Sequence, residues 1–160
     1  MKQRKKKKFI IVLLTILLII ICCIGYWYLH RPDEPPEPFF DPDAIDWQGE
    51  QELLNEKMDS ENIDIPCFEK LVFVKNDTSQ QVNIYNPENN SCYMVASLFI
   101  ENEELWKSEM IEPDKGFYEI QLNHALEAGD YNAYILYQFY ALEDLTEYNS
   151  AKVNFDLIVQ

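Results

Sequence analysis

Glycine is scarce in this 160-residue chain, at four residues, as are cysteine at four and histidine at two. With so few glycines, neither G-x-G-x-x-G nor the P-loop pattern occurs, and no phosphate-cradling nucleotide site is indicated. Zinc is disfavoured, because there is no C-x-x-C and no histidine pair at ligand spacing. No G-x-S-x-G motif marks a nucleophile either. The other shortage is of cations in most of the chain. Of 13 Lys and Arg, six lie in the first eight residues (Lys2, Arg4, Lys5, Lys6, Lys7, Lys8) and a seventh is Arg31. Residues 33–160 hold six cations against all 28 acids, a net charge of −22 beneath the overall −15. An acidic body argues against nucleic acid as a partner, since its binding rests on cations that neutralise phosphates.

The N-terminal end holds instead a long apolar run, FIIVLLTILLIIICCIGYWYL over 9–29, with no charge. As a helix it is about 31 Å long, close to the hydrocarbon thickness of a bilayer. The run predicts one transmembrane helix that contacts membrane lipid over 9–29. The basic stub 1–8 stays cytoplasmic, Tyr26, Trp27 and Tyr28 suit the opposite interface, and the acidic body lies outside the cell membrane. A cleaved signal peptide fits less well, because its apolar region is about 7–15 residues and ends in small residues. Cys22 and Cys23 follow Ile19, Ile20 and Ile21 rather than a small residue, so they read as ordinary apolar side chains.

Residues 30–43, HRPDEPPEPFFDPD, carry five prolines among acids, which favours an extended stalk of up to about 40 Å. Residues 44–64 read as a connector with a short helix at about 51–59. Asp41, Asp43 and Asp46 resemble part of a calcium loop, but the turn glycine and terminal glutamate are not at their offsets, so a solvated acidic linker is expected.

From Ile65 onward the apolar pattern has period two. Strands are expected at 69–75, 80–85, 92–101, 104–109, 117–122, 131–141 and 151–159, separated by turn-forming Asn, Asp, Gly, Pro and Ser. Seven short strands without long helices between them predict an all-β, immunoglobulin-like antiparallel β-sandwich over 65–160. Leu126, Gly129 and Tyr131 form L-x-x-G-x-Y at the entry to the longest strand, the signature of a tyrosine corner. If Tyr131 turns inward, Ala133, Ile135, Tyr137 and Phe139 share its face. In an immunoglobulin-like order this strand neighbours 92–101. Tyr93, Val95, Phe99, Tyr134, Leu136 and Tyr140 then form one outer patch, a candidate partner face unless the connector or a strand edge covers it.

Several segments, IPCFEKL, QVNIYNPENNSCY, ELWKSEMIEP, LEAGDY and NSAKVNFDLIV, together with the lysine-rich anchor, resemble small membrane-anchored proteins of mobile conjugative elements in Gram-positive gut bacteria. The resemblance covers about 95 residues and implies an envelope-associated accessory protein. None of its motifs is catalytic. Cys67 and Cys92 form an even pair in an exported domain, so a disulfide is open, at a contribution of about 3 kcal/mol. In the resembling family glycine often stands where Cys67 does, which implies two separate thiols.

His124 is the domain's only histidine, and a nucleophile relay would need a Ser or Cys and an orienting acid around it. Glu101, Glu103 and Glu104 on a hairpin turn, and Glu143, Asp144 and Glu147 on a polar connection, read as solvated charge rather than a glycosidase pair. The expected function is a non-catalytic, membrane-anchored interaction or scaffolding module with a protein partner outside the membrane and no cofactor or metal. The resemblance adds conjugative transfer as its setting. The alternatives are a small envelope enzyme using scattered acids and His124, and an adhesin or ligand-binding domain with a Tyr- and Trp-lined pocket.

Overall fold

The computed structural model describes residues 2–29, 36–49 and 63–160, and the chain divides into two compact units, Met1–Glu34 and Pro35–Gln160. In the first unit a helix α1, Lys2–Leu29, follows from a run with no proline and one glycine, Gly25. Among the described residues no helix is long and apolar enough to cross a membrane. The side chains described in α1 are Leu14 and Ile16 to Leu29, all exposed, whereas the apolar run begins at Phe9. The described residues thus do not support the span expected over 9–29.

The second unit has eight strands: β1 (Ile45–Asp46), β2 (Lys70–Phe73), β3 (Ser79–Asn86), β4 (Cys92–Ile100), β5 (Glu103–Lys107), β6 (Lys115–Gln121), β7 (Gly129–Ala141) and β8 (Ala151–Val159). All seven strands expected from the period-two pattern are present, and β1 is an addition. They form two sheets, ordered β1-β6-β3 and β2-β8-β7-β4-β5. Strand β2 runs parallel to β8, and the other strand pairs are antiparallel. The domain is an all-β sandwich.

Alternation decides which side chains enter the core. On β7, Ala133, Ile135, Tyr137 and Phe139 are buried while their neighbours are half-buried or exposed. From β4, Met94, Ala96 and Leu98 meet them, with Ile84 and Phe117 arriving from the other sheet. The tyrosine corner is formed: the Tyr131 hydroxyl donates to the Glu127 carbonyl at 3.0 Å, and Leu126 is buried below it.

The turn after β3 is held by amides rather than by apolar packing. Asn86 Nδ2 donates to the carbonyls of Cys92 and Ile111, and its Oδ1 accepts from Asn90 Nδ2. Asn90 also binds the backbone of Asp64 in both directions, which fastens the chain entering the domain. Buried amides of this kind cost stability if left unpaired, so they fix one arrangement.

The sandwich begins earlier than Ile65. Residues expected in the stalk and connector lie on it: Phe40 bridges Met110 in parallel, the Asp41 amide donates to the Met110 carbonyl at 2.9 Å, and β1 pairs with β6 through Ile45 and Asp46. Asp41 is also not merely solvated, since its Oδ2 accepts from the Glu109 amide at 2.9 Å and its Oδ1 from the Asp43 amide at 3.0 Å. The prolines limit this stretch to short pairings, because each removes a donor.

Trp47 completes the attachment. It is buried and stacks between Tyr85 and Tyr118, with centroids at 4.5 and 4.4 Å and planes 15° and 10° apart. Two glycines make room. A Cβ on Gly49 would lie 2.6 Å from the Trp47 ring, and one on Gly116 would lie 2.4 Å from the Ile84 carbonyl oxygen. The helix expected at about 51–59, and residues 30–35 of the stalk, lie outside the described residues.

Candidate interaction face

Because β4 and β7 pair in register, Tyr93 stands opposite Tyr140, Val95 opposite Gln138, Ser97 opposite Leu136 and Phe99 opposite Tyr134. All six side chains expected at the partner face, Tyr93, Val95, Phe99, Tyr134, Leu136 and Tyr140, lie on these two adjacent strands, on residues that alternate with the core set. Val95 is buried at 7% exposure and the other five are half-buried. Cross-strand packing explains the depth, since directly opposed side chains in a sheet lie about 5 Å apart and cover one another.

The row has internal order. Phe99 and Tyr134 stack with centroids 4.9 Å apart and planes 8° apart, and Lys152 Nζ sits 3.5 Å from the Tyr134 ring centroid. At the other end Phe40 meets Tyr93 edge-on at 5.1 Å. Among the described residues, Phe40 of the segment expected as stalk thus supplies a ring contact to this face, at Tyr93, while residues 50–60 of the connector lie outside the described residues. Burial, and then the nearby Glu147 carboxylate, raise the Tyr140 phenol above its ordinary value. Glu147 also accepts from Gln138 Nε2 at 3.2 Å.

His124 is placed differently. Its Nδ1 lies 3.1 Å from the Ala125 carbonyl and its Nε2 2.9 Å from Glu103 Oε1, so both nitrogens face acceptors. A ring that donates at both nitrogens is an imidazolium with no lone pair left to take a proton. The Ala125 carbonyl, and then Glu103, raise its pKa above the usual value. The surrounding depression is lined by Ile100, Glu101, Leu105, Glu127 and Tyr131, with no Ser or Cys in it. This arrangement suits a strand-end ion pair better than a general base.

Cys67 and Cys92 are not bridged, and both pack on the core. Burial pushes the Cys92 thiol up to about 11, which keeps it protonated and unreactive. Among the described residues no group of three or more His, Cys, Asp or Glu is placed to hold a metal ion. A groove at the end of the sandwich is lined by Ile63, Ile65, Cys92, Phe139 and Tyr148 among others, with no tryptophan. Its aromatic lining is thus Tyr148 and Phe139, without the tryptophan expected of the ligand-binding alternative.

Sequence reasoning missed three residues that shape these faces. Phe40 and Trp47 sit in segments without strand periodicity, and Lys152 reaches the face only through the pairing of β8 with β7. The paired aromatics of FFDPDAIDW were the only available hint. Compared with protein-family models, curated proteins and solved structures, the chain matches none.

Proposed function

We propose that the chain is a non-catalytic, membrane-anchored interaction module that presents an immunoglobulin-like domain outside the membrane and engages a protein partner through the outer face of β4 and β7. The observation that carries this reading is the set Tyr93, Phe99, Tyr134, Leu136 and Tyr140, half-buried on one face of two adjacent strands, with Phe40 meeting Tyr93 among the described residues. Apolar rows of this kind on an otherwise acidic domain serve as contact surfaces.

The immunoglobulin-like reading is supported by the strand order. Strand β2 lies parallel to β8, followed by β7, β4 and β5, with β3 and β6 opposite, and the tyrosine corner sits at the entry to β7. The uncharged run 9–29 behind a basic stub supports an uncleaved anchor with the N-terminus inside. An accessory role in conjugative transfer rests on the sequence resemblance alone. The doubly bonded His124 weighs against the envelope-enzyme alternative.

A photo-crosslinking residue at Tyr134, compared in cells with one at Glu119 on the other sheet, tests the reading. A discrete protein adduct from position 134 and none from 119 is expected. Recovery of lipid alone, or the same adducts from both sites, would overturn it.

A further inference from the structure

The face carries apolar side chains along β4 and β7, interrupted by Ser97 and Gln138, and acids around its rim. Glu104 stands opposite Phe99, and Asp156 opposite Asn132 beside Tyr134. The shallow depression next to the Tyr134 ring adds Glu69 and Glu101. At the far end Glu147 bridges Tyr140 through the backbone. Three cations share the face, Lys70 opposite Asp156, Lys107 opposite Ser97 and Lys152 opposite Leu136, against the five acids. Lys152 is drawn onto Tyr134.

We propose that this face docks a cationic protein segment, one in which Lys or Arg is interleaved with apolar side chains. The inference rests on the reading of the face as an interaction surface and specifies its partner. Charge is the first argument. With −22 over residues 33–160, a second copy would bring two acidic rims together, whereas a cationic segment complements the rim. The second argument is that the face already holds a cation. An ammonium 3.5 Å from the centroid of the Tyr134 ring is a cation–π contact made by the chain itself, and a partner's Arg or Lys uses the same chemistry at the neighbouring tyrosines.

Ring stacking on a sugar is a poorer fit, because Phe99 occupies one side of the Tyr134 ring and Lys152 also lies against it. Arginine suits the rim best, since its planar guanidinium pairs with a carboxylate through two donors while its stem lies on apolar surface. Leu136 and the Phe99–Tyr134 pair then receive the apolar side chains.

The full chain in phosphatidylcholine nanodiscs is titrated with two fluorescent peptides, one alternating arginine with leucine and one alternating glutamate with leucine. Binding of the first alone is expected, weakening as salt is raised. The double variant Glu104→Gln/Asp156→Asn is expected to weaken it about tenfold, while Glu119→Gln/Asp46→Asn, which removes equal charge elsewhere, changes it less than about twofold. Equal affinity for both peptides, equal losses from the two double variants, or self-association through this face in sedimentation would each overturn the proposal. Cellular crosslinking from position 134 separates the two levels. An adduct whose captured segment lacks Lys and Arg overturns the cationic partner and leaves the interaction face standing, whereas lipid alone overturns both.

Discussion

The outer faces of the two sheets carry similar aromatic side chains and use them in opposite ways. On the three-stranded sheet, Tyr85 and Tyr118 close around Trp47, contributed by a segment far away in sequence, and Gln48 donates its amide to the Tyr118 hydroxyl at 2.8 Å. On the five-stranded sheet, Phe99 and Tyr134 stack on each other, Phe40 meets Tyr93 edge-on, and the aromatic side chains of the row are half-buried. The first face is completed by the chain and belongs to stability. Among the described residues the second meets a ring from outside the sheet at Tyr93, and half-buried aromatic side chains of this kind offer a partner area to bury.

Three measurements bear on that contrast. The largest effect is expected for Trp47→Ala, which empties the slot between two rings and releases β1. It should cost about 3 kcal/mol or more, read as a lower urea midpoint at unchanged slope. A loss below about 1 kcal/mol would mean that the three-stranded face is not closed by Trp47 in solution. Tyr134→Ala should cost only about 1 kcal/mol, the scale of one partly exposed aromatic pair. If it rivals Trp47→Ala, the five-stranded face is structural and the distinction between the faces fails.

The smallest effect concerns His124, on an exposed edge. Its folded pKa is raised by the Ala125 carbonyl first and Glu103 second, so its protonation stabilises the fold fully below the unfolded value of about 6.5. That contribution is lost as pH rises through the folded pKa. A proton NMR titration should place the His124 midpoint above that of an unfolded peptide, and Glu103→Gln should lower it. An unshifted midpoint in the parent chain would remove the ion pair.

Local pattern was enough to read the strands. The alternation of β4 and β7 identified their inward and outward residues, because a strand side chain has only two directions in which to point. The spacing of Leu126, Gly129 and Tyr131 identified the corner, because its hydrogen bond spans four residues. The same reasoning failed to place residues 36–49, read as stalk and connector. Their pairings join residues far apart in sequence: Phe40 to Met110, Ile45 to Gly116 and Trp47 to Tyr85 and Tyr118. No periodicity can build up in a two-residue strand flanked by prolines and glycine.

The sequence by itself determined the segregation of charge, the uncharged run at the N-terminal end, the all-β class and the membership of the row Tyr93, Val95, Phe99, Tyr134, Leu136 and Tyr140. These follow from composition and from the two-residue period of a strand. Only the tertiary structure decided that Trp47 stacks into the three-stranded face and that Phe40 meets Tyr93 on the five-stranded one. That outcome depends on where a single indole and a single phenyl ring, brought from outside the periodic region, come to rest, and a sequence neighbour carries no record of a contact about 70 residues away.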